Sequence, residues 1–276
     1  MLRITTLVEN SQGEHLGLVH EHGLCFHIEN GEDRLLFDTG QSDALVRNAA
    51  RLRIDLGDVR HVVLSHGHYD HSGGLRPLVA SGVSEFTVVT GQGFFSEKYG
   101  ERGAAHEYLG NDFDAGWLAG SGIRHVTLDE PLRELVPGVY ALTDFPRIHP
   151  DETVNPRFKL RVDGGFVPDT FADEVMLVVD TPKGLVAVLG CSHPGMKNML
   201  DAAVERLGKS VHAVIGGTHL VEASPESLDL TVEYLRRKAI PVIGVSHCTG
   251  AAAMDRLKVF GGSYYHNRTG TALVVD

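Results

Sequence analysis

From residue 66 to residue 71 the chain reads HGHYDH. Three imidazoles and a carboxylate in so short a span are metal-ligand chemistry: imidazole suits zinc, iron and related ions, and an oxygen donor among nitrogens keeps harder ions in range. His66 and His68 stand two apart, so on an extended segment leaving a strand both project to one side. Asp70 and His71 follow the turn and can address a second point ~3.5–4 Å away, the separation of paired catalytic ions. Gly67, Gly73 and Gly74 permit the tight backbone this requires. The bland alternative is a surface histidine cluster that collects metal adventitiously.

Further histidines argue against that alternative. Asp38 follows LLF, His66 follows VVLS, His193 follows VLGCS, His219 follows VIGGT and His247 follows VIGVS. RLLFDTG, VRHVVLSH, EFTVVTG, VMLVVDT, GLVAVLGCSH, HAVIGGTH and IPVIGVSH are short, rich in Val, Ile and Leu, and end in small or polar residues, which predicts strands. Between them SDALVRNAARLRI, MKNMLDAAVERLG and PESLDLTVEYLRRKA carry apolar residues at helical spacing. This alternation predicts an α/β fold. In open α/β sheets ligands bind beyond the carboxyl ends of the strands, so these strand ends gather on one rim.

Two segments break the rhythm, residues 92–117 and 144–173. Long irregular insertions in a compact domain are usually functional lids or disordered loops. Their aromatics, Phe94, Phe95, Tyr99, Tyr108, Trp117 and Phe158, are candidates for a wall against a flat ring. One domain over residues 1–276 with two lid-like insertions is expected.

The 276 residues are 42% hydrophobic and 22% charged, enough for a sizeable core, and the net charge of -11 repels polyanions, so nucleic acid is not an expected partner. No run approaches the roughly 18 apolar residues of a membrane span, and MLRITTLVEN lacks the apolar stretch of a secretory signal. A cytoplasmic location is therefore expected, with no membrane partner. Cys25, Cys191 and Cys248 have no CxxC spacing and make no disulfide framework. The oligomeric state is not legible.

HGHYDH matches the HxHxDH signature, and ITTLVEN, EHGLCFHIE, LLFDTGQS, GCSHPGMKN, VIGGTHL and SHCTG extend the match over nearly the whole chain. The sequence resembles the metallo-β-lactamase superfamily, within it the branch labelled 7,8-dihydropterin-6-methyl-4-(β-D-ribofuranosyl)aminobenzene-5'-phosphate synthase-like. The resemblance implies an αββα sandwich with a binuclear metal site at one edge of its two sheets. It implies that His66 and His68 hold one ion, that Asp70, His71 and His247 hold the other, and that Asp38 supports the site from behind. Superfamily hydrolases usually add a further histidine and then a metal-bridging aspartate. Here His193 is the strong candidate for the histidine, and no strand-end aspartate stands at the bridging place. Either His193 completes the first site without a carboxylate bridge, or Asp173, Glu174 or Cys191 fills in. Cys191 and Cys248 could also ligate as thiolates, although a buried cysteine more often serves packing.

Two divalent ions are expected, zinc first, with iron or manganese compatible. They lower the pKa of water from 15.7 towards ~7, so catalysis by a hydroxide held at the binuclear centre needs no serine or cysteine nucleophile. Asp70 and His219 are the catalytic candidates, His219 as general acid, ligand or substrate-binding imidazole. Gly195, Lys197 and Asn198 lie where a helix begins and could receive an anion. His22 and His149 are further pocket candidates. The expected activity is a metal-dependent hydrolase acting on a phosphate ester, phosphodiester or lactone-like small molecule. The alternatives are a pterin-related synthase transferring to a ribosyl-aminobenzene phosphate, and a non-catalytic metal- or ligand-binding protein; the substrate would be phosphorylated or pterin-like.

Overall fold

In a strand successive side chains face opposite sides, so an unbroken apolar run must be covered on both faces. VMLVVDT behaves in this way: Leu177 and Val179 enter one apolar layer, Met176 and Val178 another. The computed structural model describes residues 1–276 and resolves the chain into two such sheets, packed face to face. The first has the order β17 (Ala272–Val275), β1 (Leu2–Val8), β2 (Cys25–Asn30), β3 (Asp33–Phe37), β4 (His61–Val63), β5 (Thr87–Thr90), β8 (Arg124–Thr127). The second has the order β16 (Val242–Ser246), β15 (Val211–Gly217), β14 (Gly184–Leu189), β13 (Met176–Thr181), β10 (Val139–Leu142), β9 (Leu132–Val136).

Between the sheets Ile4, Phe26, Phe37, Val63 and Val89 meet Val139, Leu177, Val179, Val188 and Ile215, all essentially removed from solvent. Each fully buried side chain of this kind contributes ~1.5–3 kcal/mol relative to exposure. Helices cover the outer faces. α1 (Ala44–Leu52) and α3 (Leu75–Ala80) pack on the first sheet, and α5 (Met196–Leu207), α6 (Pro225–Lys238) and α7 (Ala251–Leu257) on the second. The architecture is the expected αββα sandwich. α6 shows the local logic: Ser224 caps it by accepting the Ser227 amide, Pro225 opens its first turn, and Arg236, Arg237 and Lys238 lie where its dipole is negative. No helix is long and apolar enough to cross a membrane.

Strand direction positions the site. β3, β4 and β5 run parallel, as do β14, β15 and β16, so their carboxyl ends open at the same edge of the sandwich. The two segments expected to be irregular are in part built into strands. β6 (Lys98–Arg102), β7 (Ala105–Tyr108), β11 (Phe158–Val162) and β12 (Gly165–Pro168) form a third, antiparallel sheet in the order β12-β11-β6-β7. Their alternation is masked because both hairpins are largely exposed, and because β6 pairs with β11 across a long stretch of chain.

Candidate metal centre

After β4 the chain passes through Leu64 and Ser65 into the HGH turn, and a four-residue helix, α2 (Tyr69–Ser72), then turns Asp70 and His71 inward. Gly67 is required by space: a Cβ there would collide with the Phe94 carbonyl oxygen. Its amide donates to Asp173 Oδ2 at 2.8 Å, which fixes the turn from the opposite sheet. His66 Nε2 and His68 Nδ1 come to 3.0 Å, and donor atoms of His66, His68 and His193 all lie within 4.8 Å of one another. His193 arrives from the end of β14 and stacks on Phe171 at a centroid distance of 3.6 Å.

A second group lies beside the first. His71 Nε2 is 3.2 Å from His247 Nε2 and 3.6 Å from Asp70 Oδ2, which in turn is 3.4 Å from His247 Nε2 and 3.2 Å from His22 Nε2. In three of these imidazoles, His71, His247 and His66, the other nitrogen is held by oxygen. Asp38, an acceptor only, accepts from His71 Nδ1 at 2.6 Å, and the side-chain oxygen Oδ1 of Asn10 accepts from His247 Nδ1 at 2.8 Å. Ser65 Oγ donates to Asp38 Oδ2 and so accepts from His66 Nδ1 at 2.9 Å. In each of these rings Nε2 faces the interior, the arrangement in which outer partners orient metal-binding histidines.

Electrostatics divides the two groups. Burial holds His66, His68 and His193 well below the ordinary imidazole range, so they are neutral and able to ligate at pH 7. Burial also opposes charge on His71, but Asp38 and Asp70 outweigh it and push this imidazole up to about 9. An ion binding here displaces that proton. Asp70, despite its burial, is held well below the carboxylate range by His71, His22 and His247. Glu174 is pushed up to about 8 by burial and Asp173. The fit to metal ions rests on the donor set and on His193 Nε2, which is buried without a hydrogen-bond partner. Buried polar atoms rarely remain so.

The backbone is strained at this rim. Asp38, Ser192, His219 and His247 all adopt left-handed conformations, with φ of 58°, 62°, 49° and 55°. These are non-glycine residues at or just beyond the ends of β3, β14, β15 and β16, where the chain turns out of the sheets.

Several expectations need correction. Lys197 and Asn198 offer no free donors: Lys197 Nζ pairs with Asp151, while the Asn198 side chain accepts from the Ile148 and His149 amides and donates to the Pro194 carbonyl. The start of α5 does attract an anion, but it is the chain's own Glu152, which accepts from the Lys197 and Asn198 amides at 2.8 and 2.9 Å. His149 pairs with Asp201 outside the centre, its ring edge-on to Tyr234. Of the six aromatics only Phe158 reaches the site, 5.1 Å from the His193 ring; Phe94, Phe95 and Trp117 pack in the core around α1 and α3, and Tyr99 and Tyr108 pack on each other. His22 lies against Asp70 and His247. His219 lies beside His193 at a ring distance of 4.3 Å and pairs with Glu222 at 3.2 Å. Its hydrogen bonds to Cys248 and Glu222 outweigh burial and push it up to about 9.

Sequence reasoning missed Lys98, Asp169 and Phe171. Lys98 is 2% exposed and donates to Asp169 at 2.7 Å and Asp173 at 2.9 Å. Its only sequence signal is a lysine within a segment that reads as exposed. A cavity of about 330 Å³ opens beside His193 and His219, walled by residues 151–156 and the 218–227 turn.

Comparison with known proteins gives the same frame. The family model of the metallo-beta-lactamase superfamily matches residues 20–166. The chain is 32% identical over 270 residues to the 7,8-dihydropterin-6-methyl-4-(beta-D-ribofuranosyl)-aminobenzene-5'-phosphate synthase of Methanocaldococcus jannaschii, covering 91% of this chain and 89% of that protein. The crystal structure of Tm1679, described as a metal-dependent hydrolase of the beta-lactamase superfamily, superposes with a TM-score of 0.86 at 30% identity, covering 100% of this chain and 99% of the other. A diphosphatase from the PhnP family shares the fold alone, with a TM-score of 0.58 at 12% identity over 100% and 98% of the two chains. With a family match over more than half its length and a relative aligned along nearly all of it, this chain belongs to the metallo-beta-lactamase superfamily.

Proposed function

We propose that the chain is a metal-dependent hydrolase of a phosphate ester, phosphodiester or lactone-like small molecule. In this reading His66, His68 and His193 hold one divalent ion and Asp70, His71 and His247 the other. The observation that carries it is the convergence of these six side chains from both sheets into two adjacent buried donor groups, with the outer nitrogens of His66, His71 and His247 tethered and His193 Nε2 unpartnered. When bound, paired divalent ions supply Lewis-acid polarisation and acidify water, zinc being the expected ion.

The chain's own residues do the rest. Asp38 holds His71 in one tautomer, and Asp173 holds the HGH turn. His219, at the mouth of the cavity and protonated through its contacts with Cys248 and Glu222, is placed to give a proton to a leaving oxygen. Phe158 and Phe171 form the apolar wall that excludes water from the His193 side. Beyond His219 the cavity supplies little cationic help of its own, because Arg157 is paired with Glu222. A phosphate would therefore be drawn to the ions.

One observation favours a second reading: the relative from Methanocaldococcus jannaschii carries the name of a synthase. The same centre could stabilise charge in a pterin-related transfer to a ribosyl-aminobenzene phosphate. Protein loaded with zinc, its ion content measured, should be assayed against phosphomonoesters, phosphodiesters and lactones, and separately for pterin transfer. Hydrolysis that His219→Ala slows without loss of metal supports the proposal. A fully loaded protein that hydrolyses none of them and forms the transfer product replaces it with the synthase reading.

A further inference from the structure

The donor set has an electrostatic gap. Five imidazoles and one carboxylate, Asp70, would face two divalent ions, and the strand-end aspartate that usually bridges such ions is missing. The other nearby carboxylates cannot close the gap, because each is committed behind the site. Asp38 sits at the Nδ1 side of His71, Asp173 is held by Lys98 and the Gly67 amide, and Glu174 accepts from the Ser192 amide at 3.0 Å while lying 3.9 Å from His66 Nδ1.

One further donor, a buried thiol that becomes anionic only when an ion displaces its proton, faces the inner side. Cys191, 4% exposed, places Sγ 3.2 Å from His71 Nε2. Donor atoms of His66, His71 and Cys191 all lie within 4.8 Å of one another. His66 belongs to the first histidine group and His71 to the second, so this sulfur stands between the two proposed ion positions. Cys248 is placed differently: its Sγ accepts the His219 amide at 3.2 Å and donates to the Cys191 carbonyl at 3.4 Å, and it groups only with Cys191 and His219. Cys25 is buried in the core around α1, on β2.

Resting on the binuclear reading above, we propose that Cys191 is a protein ligand shared by both ions, its thiolate taking the place of the absent bridging carboxylate. The thiol proton leaves to solvent as the sulfur–metal bonds form. A thiolate selects zinc, iron or cobalt over magnesium or manganese, so this one residue narrows the ions the site accepts.

The test uses the full-length protein stripped of metal and loaded with cobalt(II) alone, read by elemental analysis and by the near-ultraviolet sulfur-to-cobalt charge-transfer band. Two cobalt ions per chain with that band, retained in Cys248→Ser and lost in Cys191→Ser, is the expected result. Should Cys191→Ser not fold, Cys248→Ser decides alone, since Cys25 lies in the core. Two ions bound without the band overturns the role of Cys191 and leaves the histidine centre intact. Loss of the band in Cys248→Ser overturns it in favour of the neighbouring thiol. Failure to bind cobalt refutes the binuclear centre itself, and the bridge with it.

Discussion

Replacing Lys98 by methionine isolates the contribution of the third sheet to the metal turn. The ammonium lies on β6 and is buried with Asp169 and Asp173, whose side chains are 2% and 1% exposed. Burial opposes its charge, yet Asp173 and Asp169 together hold it above its ordinary value. Lys98→Met keeps the volume and leaves two buried carboxylates without a counter-ion. Breaking a buried pair from one side costs ~3–5 kcal/mol. Each carboxylate keeps one backbone donor, Phe171 for Asp169 and Gly67 for Asp173, which places the expected loss near the lower end, ~3 kcal/mol. That is a large part of the ~5–15 kcal/mol by which domains are stable. Urea unfolding of metal-free protein measures it as a fall in midpoint at unchanged slope. The triple variant Lys98→Met, Asp169→Asn, Asp173→Asn keeps both backbone acceptors, removes both charges, and should recover most of the loss. A single variant within ~1 kcal/mol of the parent, or a triple variant no more stable than the single, would refute the reasoning that charge left unpaired is what matters.

Other outcomes follow from the same geometry. His68→Ala should empty at least one metal position, read by elemental analysis, while circular dichroism shows the fold assembled; unchanged metal content sinks the assignment. Asp38→Asn, which releases His71 and Ser65 from their shared carboxylate, should weaken metal binding ~10–100-fold in chelator competition. Glu152→Ala uncaps α5 and should cost ~1–2 kcal/mol in urea, with no change in metal stoichiometry. His27, remote from the metal centre and 2% exposed, is lowered by burial from 6.5 to about 4. Its neutral form is the folded one, so the associated stability is complete above pH 6.5 and is lost towards pH 4, at ~1.4 kcal/mol per unit for a single proton. His27→Phe should flatten the stability profile in that window, and an unchanged slope would assign the acid sensitivity to other groups.

Much of this arrangement is legible in the sequence because parallel strands buried on both faces leave continuous apolar runs, and their ends must open on one rim. That is why Asp38, His66, His193, His219 and His247 could be picked out together. What was not legible depends on partners far apart in the chain. Nothing local in KYGER indicates that Lys98 will be buried, because its burial is created by Asp169 and Asp173. Lys197 misled for the converse reason. A helix start does favour an anion, but Glu152, distant in sequence, already sits there. The insertions concealed their strands because exposed hairpins carry no strong apolar alternation.

The four left-handed residues at the rim have an implication for how such a protein can change over generations. Glycine at Asp38, Ser192, His219 or His247 would relax a conformation that costs on the order of 1 kcal/mol or more per residue. Selection for thermal robustness alone would therefore favour the smallest residue at positions that include three of the proposed site residues, Asp38, His219 and His247. Robustness and activity pull in opposite directions at those three. A directed-evolution library scored only by resistance to heat should accumulate glycines along this rim, and its hardiest members should be inert.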